Sequence, residues 1–147
     1  MMCNQTREPT MTISETAREF SEACDGGEGW SKCAQYCHDD ATFACQADAL
    51  ADIGSVEGYV DWMRGLFTPI PDGQYEVKSF STDEGRSVVT VFAVFKGTQT
   101  GPGPLDPPTG KSVSTDYVYA MHFDGDKIRH MTKIWNDVRA LQELGWA

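Results

Sequence analysis

Apolar residues recur at helical spacing near the start of the chain. These positions lie three or four residues apart: Ile13, Ala17, Phe20 and Cys24. The pattern predicts an amphipathic helix that ends at Gly26-Gly27. Three residues after Ser14 stands Ala17 and not Glu, so this prediction depends on periodicity and not on a capping box.

Two further helices are predicted before the middle of the chain. The first covers residues 29–37 and leads through His38-Asp39-Asp40 into a short strand over 41–45. The second covers 55–67, with Ser55 as its N-cap, and the prolines that follow prevent its continuation.

The second half of the chain has the character of a β-sheet. Runs rich in Val, Phe, Tyr and Thr predict four strands, over residues 75–82, 87–99, 113–123 and 127–135. The turn Asp124-Gly125-Asp126 joins the last two as a hairpin, and the Pro- and Gly-rich segment 101–110 is expected to be a loop at the rim of a pocket. Helices followed by an antiparallel meander predict an α+β fold with a hollow between the two layers.

Length and charge favour a single domain and argue against membrane and nucleic-acid partners. The chain has 147 residues, enough for one domain, which we place at 12–147 after a flexible polar leader over 1–11. Its longest apolar stretches are too short to span a membrane and its first residues lack a signal-peptide core, so we expect a cytoplasmic protein with no membrane partner. A net charge of −10 argues against nucleic-acid binding.

Five cysteines at irregular spacing suggest reduced thiols and not a disulfide framework. Cys33 and Cys37 could share a helical face beside His38, so a thiol- or metal-dependent protein is a third and weaker hypothesis. The prediction is that the protein holds no metal and no cofactor.

Strand alternation brings candidate chemistry to one face of the last hairpin. On the first strand this face carries Tyr117 and Tyr119, and on the second it carries Met131, Lys133 and Trp135, continuing to Asp137. If this face lines the hollow, a small apolar ligand would meet a cation, phenols and an aromatic wall. A desolvated Lys133 has a lowered pKa and can act as a base, a carbonyl-polarising donor or an imine-forming amine; the alternative is that it pairs with an acid or lies outside the pocket.

Other polar and aromatic residues are candidates for the same pocket. His38, beside a carboxylate, can act as a general acid or base, or simply lie in a helix end and a solvated turn. On the third helix, Tyr59, Trp62 and Met63 form either its core face or part of the ligand site. The candidate catalytic residues are therefore Lys133, Tyr119, Asp137 and His38.

Several separated motifs carry a resemblance to a known family. They are Pro-Pro-Thr-Gly-Lys at 107–111, Phe-Asp-Gly-Asp-Lys-Ile at 123–128 and Leu-Gln-Glu-Leu-Gly at 141–145, after helices and a curved meander. The chain resembles the SnoaL-like polyketide cyclases, within the superfamily that shares the cone-shaped fold of nuclear transport factor 2. The resemblance implies a homodimer and a cofactor-independent cyclase. The histidine and aspartate of those cyclases fall here on Tyr119 and Lys133, so their catalytic roles do not transfer.

Two main hypotheses of function follow. The first is a cofactor-independent cyclase, isomerase or dehydratase that acts on a small, carbonyl-bearing apolar substrate. The second is a noncatalytic small-molecule-binding module or a homodimeric structural protein of the same fold.

Overall fold

The computed structural model describes residues 11–147, so the predicted leader lies outside the described residues except for Met11. The elements, in chain order, are α1 (Ile13–Asp25), α2 (Trp30–Cys33), β1 (Cys37–Cys45), α3 (Val56–Leu66), β2 (Gln74–Asp83), β3 (Val88–Thr98), β4 (Ser112–Asp124), β5 (Lys127–Trp135) and α4 (Asp137–Leu144). Short 3-10 turns lie at Ala34–Tyr36 and Asp48–Leu50. This is the predicted α+β class.

The strands form one curved sheet in the order β1-β5-β4-β3-β2. From β2 to β5 each strand pairs antiparallel with the next, which confirms the predicted meander. β1 joins the edge of the sheet parallel to β5, with Cys45 opposite Lys133. The helices cover the face of the sheet that carries the buried side chains, among them Met121 and Ile128.

The start of the chain differs from the prediction in two respects. Helix α1 begins with a complete capping box, in which Thr12 and Glu15 each accept from the other's backbone N–H. The candidate N-cap in the sequence, Ser14, lies two residues too late for this motif. The predicted helix over 29–37 was too long, because α2 ends at Cys33. Cys37 already pairs with Ile128 of β5, so His38 lies within β1 and not at a helix end.

The closing segment forms α4, which packs on β4. None of the helices in the described part of the chain is long and apolar enough to cross a membrane.

Candidate functional site

A cavity lies between the sheet, α3 and α4. Its internal space is narrow and measures about 60 Å³. Its lining is mostly apolar, and the side chains with polar atoms are Trp62, Thr115, Tyr117, Tyr119, Lys133, Trp135 and Trp146. An apolar hollow with a few convergent polar groups is the usual form of a small-molecule site.

The β4–β5 hairpin positions the polar end of this cavity. Tyr119 stands directly opposite Lys133, and Tyr117 opposite Trp135. Gly125, with φ of 68°, makes the tight turn, and a register shift between His122 and Phe123 then sets these pairs. Tyr117, Tyr119 and Lys133 are all at least nine-tenths buried, so the predicted face of the hairpin is the one that looks inward.

Lys133 is a buried cation inside an aromatic cage. Its side chain is 5% exposed, and Nζ donates to the Tyr59 hydroxyl at 2.9 Å. The ammonium also lies 4.4 Å from the ring centre of Trp135 and 5.3 Å from that of Trp62. Burial lowers the pKa of Lys133 to about 8, against the opposing attraction of Asp25. At neutral pH the group is therefore mostly an ammonium, and it is one that loses its proton readily.

Asp25, the last residue of α1, is the acid of the site. Its carboxylate accepts from Tyr117 at 2.6 Å and from Tyr119 at 2.7 Å, and the residue is 2% exposed. Burial raises the pKa of Asp25 to about 6, although both phenols favour the carboxylate. It is therefore mostly ionised at pH 7.

A continuous hydrogen-bonded chain joins the cation to the acid. Lys133 donates to Tyr59, the hydroxyls of Tyr59 and Tyr119 lie 2.5 Å apart, and Tyr119 donates to Asp25. We call these four residues, with Tyr117, the buried polar chain. Burial raises the pKa of each of the three tyrosines above the ordinary value, so the phenols keep their protons and remain donors. The arrangement holds two opposite charges apart across two phenols.

Asp25 is not among the site residues predicted from the sequence. It stands four residues after Ser21 and eight after Ala17, on a face of α1 that is buried. An acid at the C-terminal end of a helix also opposes the helix dipole. An aspartate at an unfavourable helix end, on an otherwise apolar face, is the sequence feature that could have pointed to a site residue.

The predicted ligand-binding residues divide into two groups. Trp62, Met63, Tyr117 and Trp135 line the cavity. Tyr59 does not line the cavity but contacts Lys133 from behind it, through its hydroxyl and through its ring, whose centre lies 4.9 Å from Nζ. Met131 lies in the core and does not line the cavity.

Asp137 and His38 lie elsewhere. Asp137 accepts from the backbone N–H of Ala49 and Val138, both at 2.9 Å, and so ties the start of α4 to the segment after β1. The His38 ring is 2.9 Å from the carbonyl oxygen of Asp124, at the turn of the hairpin. Neither residue lines the cavity, so a catalytic role for Asp137 or His38 stays a prediction that these contacts do not support.

The cysteine hypothesis finds little support. Within residues 11–147 no three His, Cys, Asp or Glu side chains converge as a metal site, and the cysteines there are free thiols. Burial raises the pKa of Cys33 and of Cys37 to about 12, which disfavours the thiolate that metals and electrophiles require. Cys3 lies outside the described residues.

Comparison with known families identifies the chain. The family model for SnoaL-like polyketide cyclases matches residues 15–144. The chain belongs to this family. Among curated proteins none matches the sequence.

Solved structures show the same fold at low sequence identity. IdmH from Streptomyces antibioticus, proposed to be a polyketide cyclase, is 20% identical with a TM-score of 0.74, over 92% of this chain and 99% of its own. AclR from Streptomyces galilaeus, proposed to be a hydroxylase, is 23% identical with a TM-score of 0.73, over 92% and 85%. A nuclear transport factor 2-like protein from Cytophaga hutchinsonii is 11% identical with a TM-score of 0.62, over 90% and 96%. Proteins that share this fold thus carry different proposed chemistries, and the residues of the site must decide between them.

Proposed function

We propose that this SnoaL-like protein is a cofactor-independent enzyme that transfers protons on a small, apolar carbonyl compound. The observation that carries the proposal is the buried polar chain, which presents Lys133 and Tyr117 to an apolar cavity with Asp25 behind them. The loss of an α-proton to give an enolate is the first step shared by aldol cyclases, many isomerases and many dehydratases. We propose this proton-transfer step; the substrate determines which reaction of the enolate follows.

Lys133 polarises the carbonyl group in this proposal. An ammonium has three N–H donors, and the one directed to Tyr59 leaves two for a ligand oxygen in the cavity. Because the cage excludes water, a donor here stabilises the developing enolate oxygen more strongly than it would in solution.

Tyr117 moves the proton. As its oxygen takes the α-proton of the ligand, its own proton passes along the 2.6 Å hydrogen bond to Asp25. The electron pair of the broken C–H bond goes to the enolate, whose oxygen faces Lys133. Asp25 ends protonated, which its raised pKa favours. Asp25 does not line the cavity, so it acts through Tyr117 as a positioning and proton-accepting group.

One observation favours a noncatalytic binding module as the second candidate. No carboxylate or imidazole is found in the cavity lining of the described chain, so every proton must pass through a phenol or Lys133. In a binding module the buried polar chain would bind a ligand oxygen without turnover.

Deuterium exchange distinguishes the two candidates. The probe is 1-tetralone in D2O at pH 7, with incorporation at its α-carbon followed by NMR and binding measured separately by calorimetry. We expect the wild type to accelerate exchange and Lys133→Met to lose about 100-fold or more of that acceleration, in the range of general acid–base effects. Asp25→Asn and Tyr117→Phe should each lose a comparable part.

Lys127→Met is the matched control. Lys127 begins the same strand and is exposed at the hairpin turn, so this variant removes a lysine without touching the cavity, and it should exchange like the wild type. Binding of the probe without faster exchange would favour the binding module. Undiminished exchange in Lys133→Met would refute the proposed role of that residue.

A further inference from the structure

Trp146 carries an unusual polar atom. Among the side chains of residues 11–147, its indole Nε1 is the buried nitrogen or oxygen that has no hydrogen-bond partner. Buried donors in native proteins are almost always satisfied, and one that is not has a cost of about 1–3 kcal/mol. Trp146 also lines the cavity that holds Lys133.

The backbone fixes where this indole lies. Gly145 ends α4 in the left-handed region, with φ of 76°, and donates to the carbonyl of Gln142. The N–H of Trp146 donates to the carbonyl of Leu141 at 2.8 Å, which completes a Schellman motif. The Thr109 hydroxyl donates to the carbonyl of Leu144 at 2.6 Å and ties the same turn to the Pro- and Gly-rich loop. The indole is therefore held at the cavity by a defined helix end.

A second indole in the cavity makes an informative contrast. Trp135 Nε1 donates to the Thr115 hydroxyl at 2.9 Å, so its donor is already used inside the protein. Of the three tryptophans that line the cavity, Trp62, Trp135 and Trp146, it is Trp146 whose indole N–H is both buried and without an acceptor in the described chain.

We infer that Trp146 Nε1 donates a hydrogen bond to a second oxygen of the ligand, remote from the carbonyl that Lys133 holds. This inference rests on the proposed function and adds a substrate class to it: an apolar carbonyl compound that carries a further acceptor oxygen, as an ether or a second carbonyl. Aliphatic groups complete the lining, among them Leu141, Leu144 and Val113, so the two oxygens are separated by hydrocarbon.

The test compares two ligands that differ by one acceptor. The probes are 6-methoxy-1-tetralone and 6-ethyl-1-tetralone, which share ring system, ketone and approximate size, and their dissociation constants are measured by calorimetry. The quantity of interest is the ratio of the two constants, which we expect to shift by about fivefold, or about 1 kcal/mol, between the wild type and Trp146→Phe. Phenylalanine keeps an aromatic ring and removes the donor. Circular dichroism and thermal unfolding verify that the variant is folded.

Trp30→Phe is the matched control, because Trp30 lies at the start of α2 and does not line the cavity. Its ratio should equal that of the wild type. A ratio that Trp146→Phe leaves unchanged would overturn this inference while leaving the proposed function intact. If neither tetralone bound the wild type, the inference and the proposed function would both fail.

Discussion

Replacing Lys133 by Met should make the protein more stable at pH 7 while it abolishes the proposed activity. Burial lowers the pKa of Lys133 from 10.5 to about 8, so holding the charged form in the folded state costs about 3 kcal/mol relative to the unfolded chain. Methionine has a similar shape and no charge. Replacing a buried charge by an apolar group of similar volume is often neutral or stabilising.

The loss of the cation also affects Asp25, and this limits the gain. Without Lys133 the pKa of Asp25 rises further, but its carboxyl then takes up a proton. Because that pKa is already about 6, the additional cost at pH 7 is at most about 1 kcal/mol. Lys133→Met should therefore raise the free energy of unfolding by about 2 kcal/mol.

The pH dependence gives a second and independent check. Between pH 8 and pH 10.5 the folded wild type has lost the Lys133 proton that its unfolded chain still binds, so the stability contribution of this group rises with pH in that window. The variant has no such group. Its advantage, measured by urea unfolding at pH 7 and at pH 10, should shrink strongly or disappear at the higher pH.

A destabilisation of several kcal/mol at pH 7 would refute this reasoning. That result would mean that Asp25 depends on Lys133 as an ion-pair partner, as in buried pairs whose surviving charge cannot be neutralised. The double variant Lys133→Met with Asp25→Asn separates the two explanations, because it leaves neither charge. Lys127→Met, at an exposed position, should unfold like the wild type at both pH values.

Two further predictions concern pH and assembly. The enzyme-dependent exchange of 1-tetralone should follow a bell, rising as Asp25 ionises near pH 6 and falling as Lys133 loses its proton near pH 8, with the acid limb absent in Asp25→Asn. A profile that shows neither the acid limb nor the alkaline limb would contradict the assigned roles. The homodimer, which the family resemblance leads us to expect, should form through the outer face of the sheet, where Ile134 is 60% exposed beside Val118. Ile134→Glu should then halve the mass measured by analytical ultracentrifugation, and a wild type that sediments as a monomer would refute the dimer.

The sequence predicted the sheet well because its signals were local. Period-two alternation and one Asp-Gly turn predicted the hairpin and the face that Tyr119 and Lys133 share, although their direct pairing also depends on a register shift between His122 and Phe123. The start of β1 was harder. Its residues from Cys37 onward are held by a strand far along the chain, and no local pattern reports such a partner.

The acid of the site illustrates the same limit. Asp25 becomes a site residue only because the fold carries the end of α1 onto β4, where two phenols meet its carboxylate. Alternation along a strand cannot reveal what a helix will bring to it. Likewise Asp137 looked like a continuation of the Lys133 face, but the chain leaves the sheet after Trp135 and the carboxylate turns to cap backbone N–H groups.

The parallel pairing of β1 with β5 has a consequence for how the chain can be made. Thr42 meets His130 across 88 residues, and Asp25 meets Tyr117 across 92. During synthesis the first part of the chain therefore leaves the ribosome before its strand partner exists, and α1 emerges before the phenols that receive its acid. Such distant contacts are made late, because a long loop must close before they contribute. Completion of the sheet and assembly of the buried polar chain therefore both require β5, the last strand to be made, which pairs with β1 and carries Lys133.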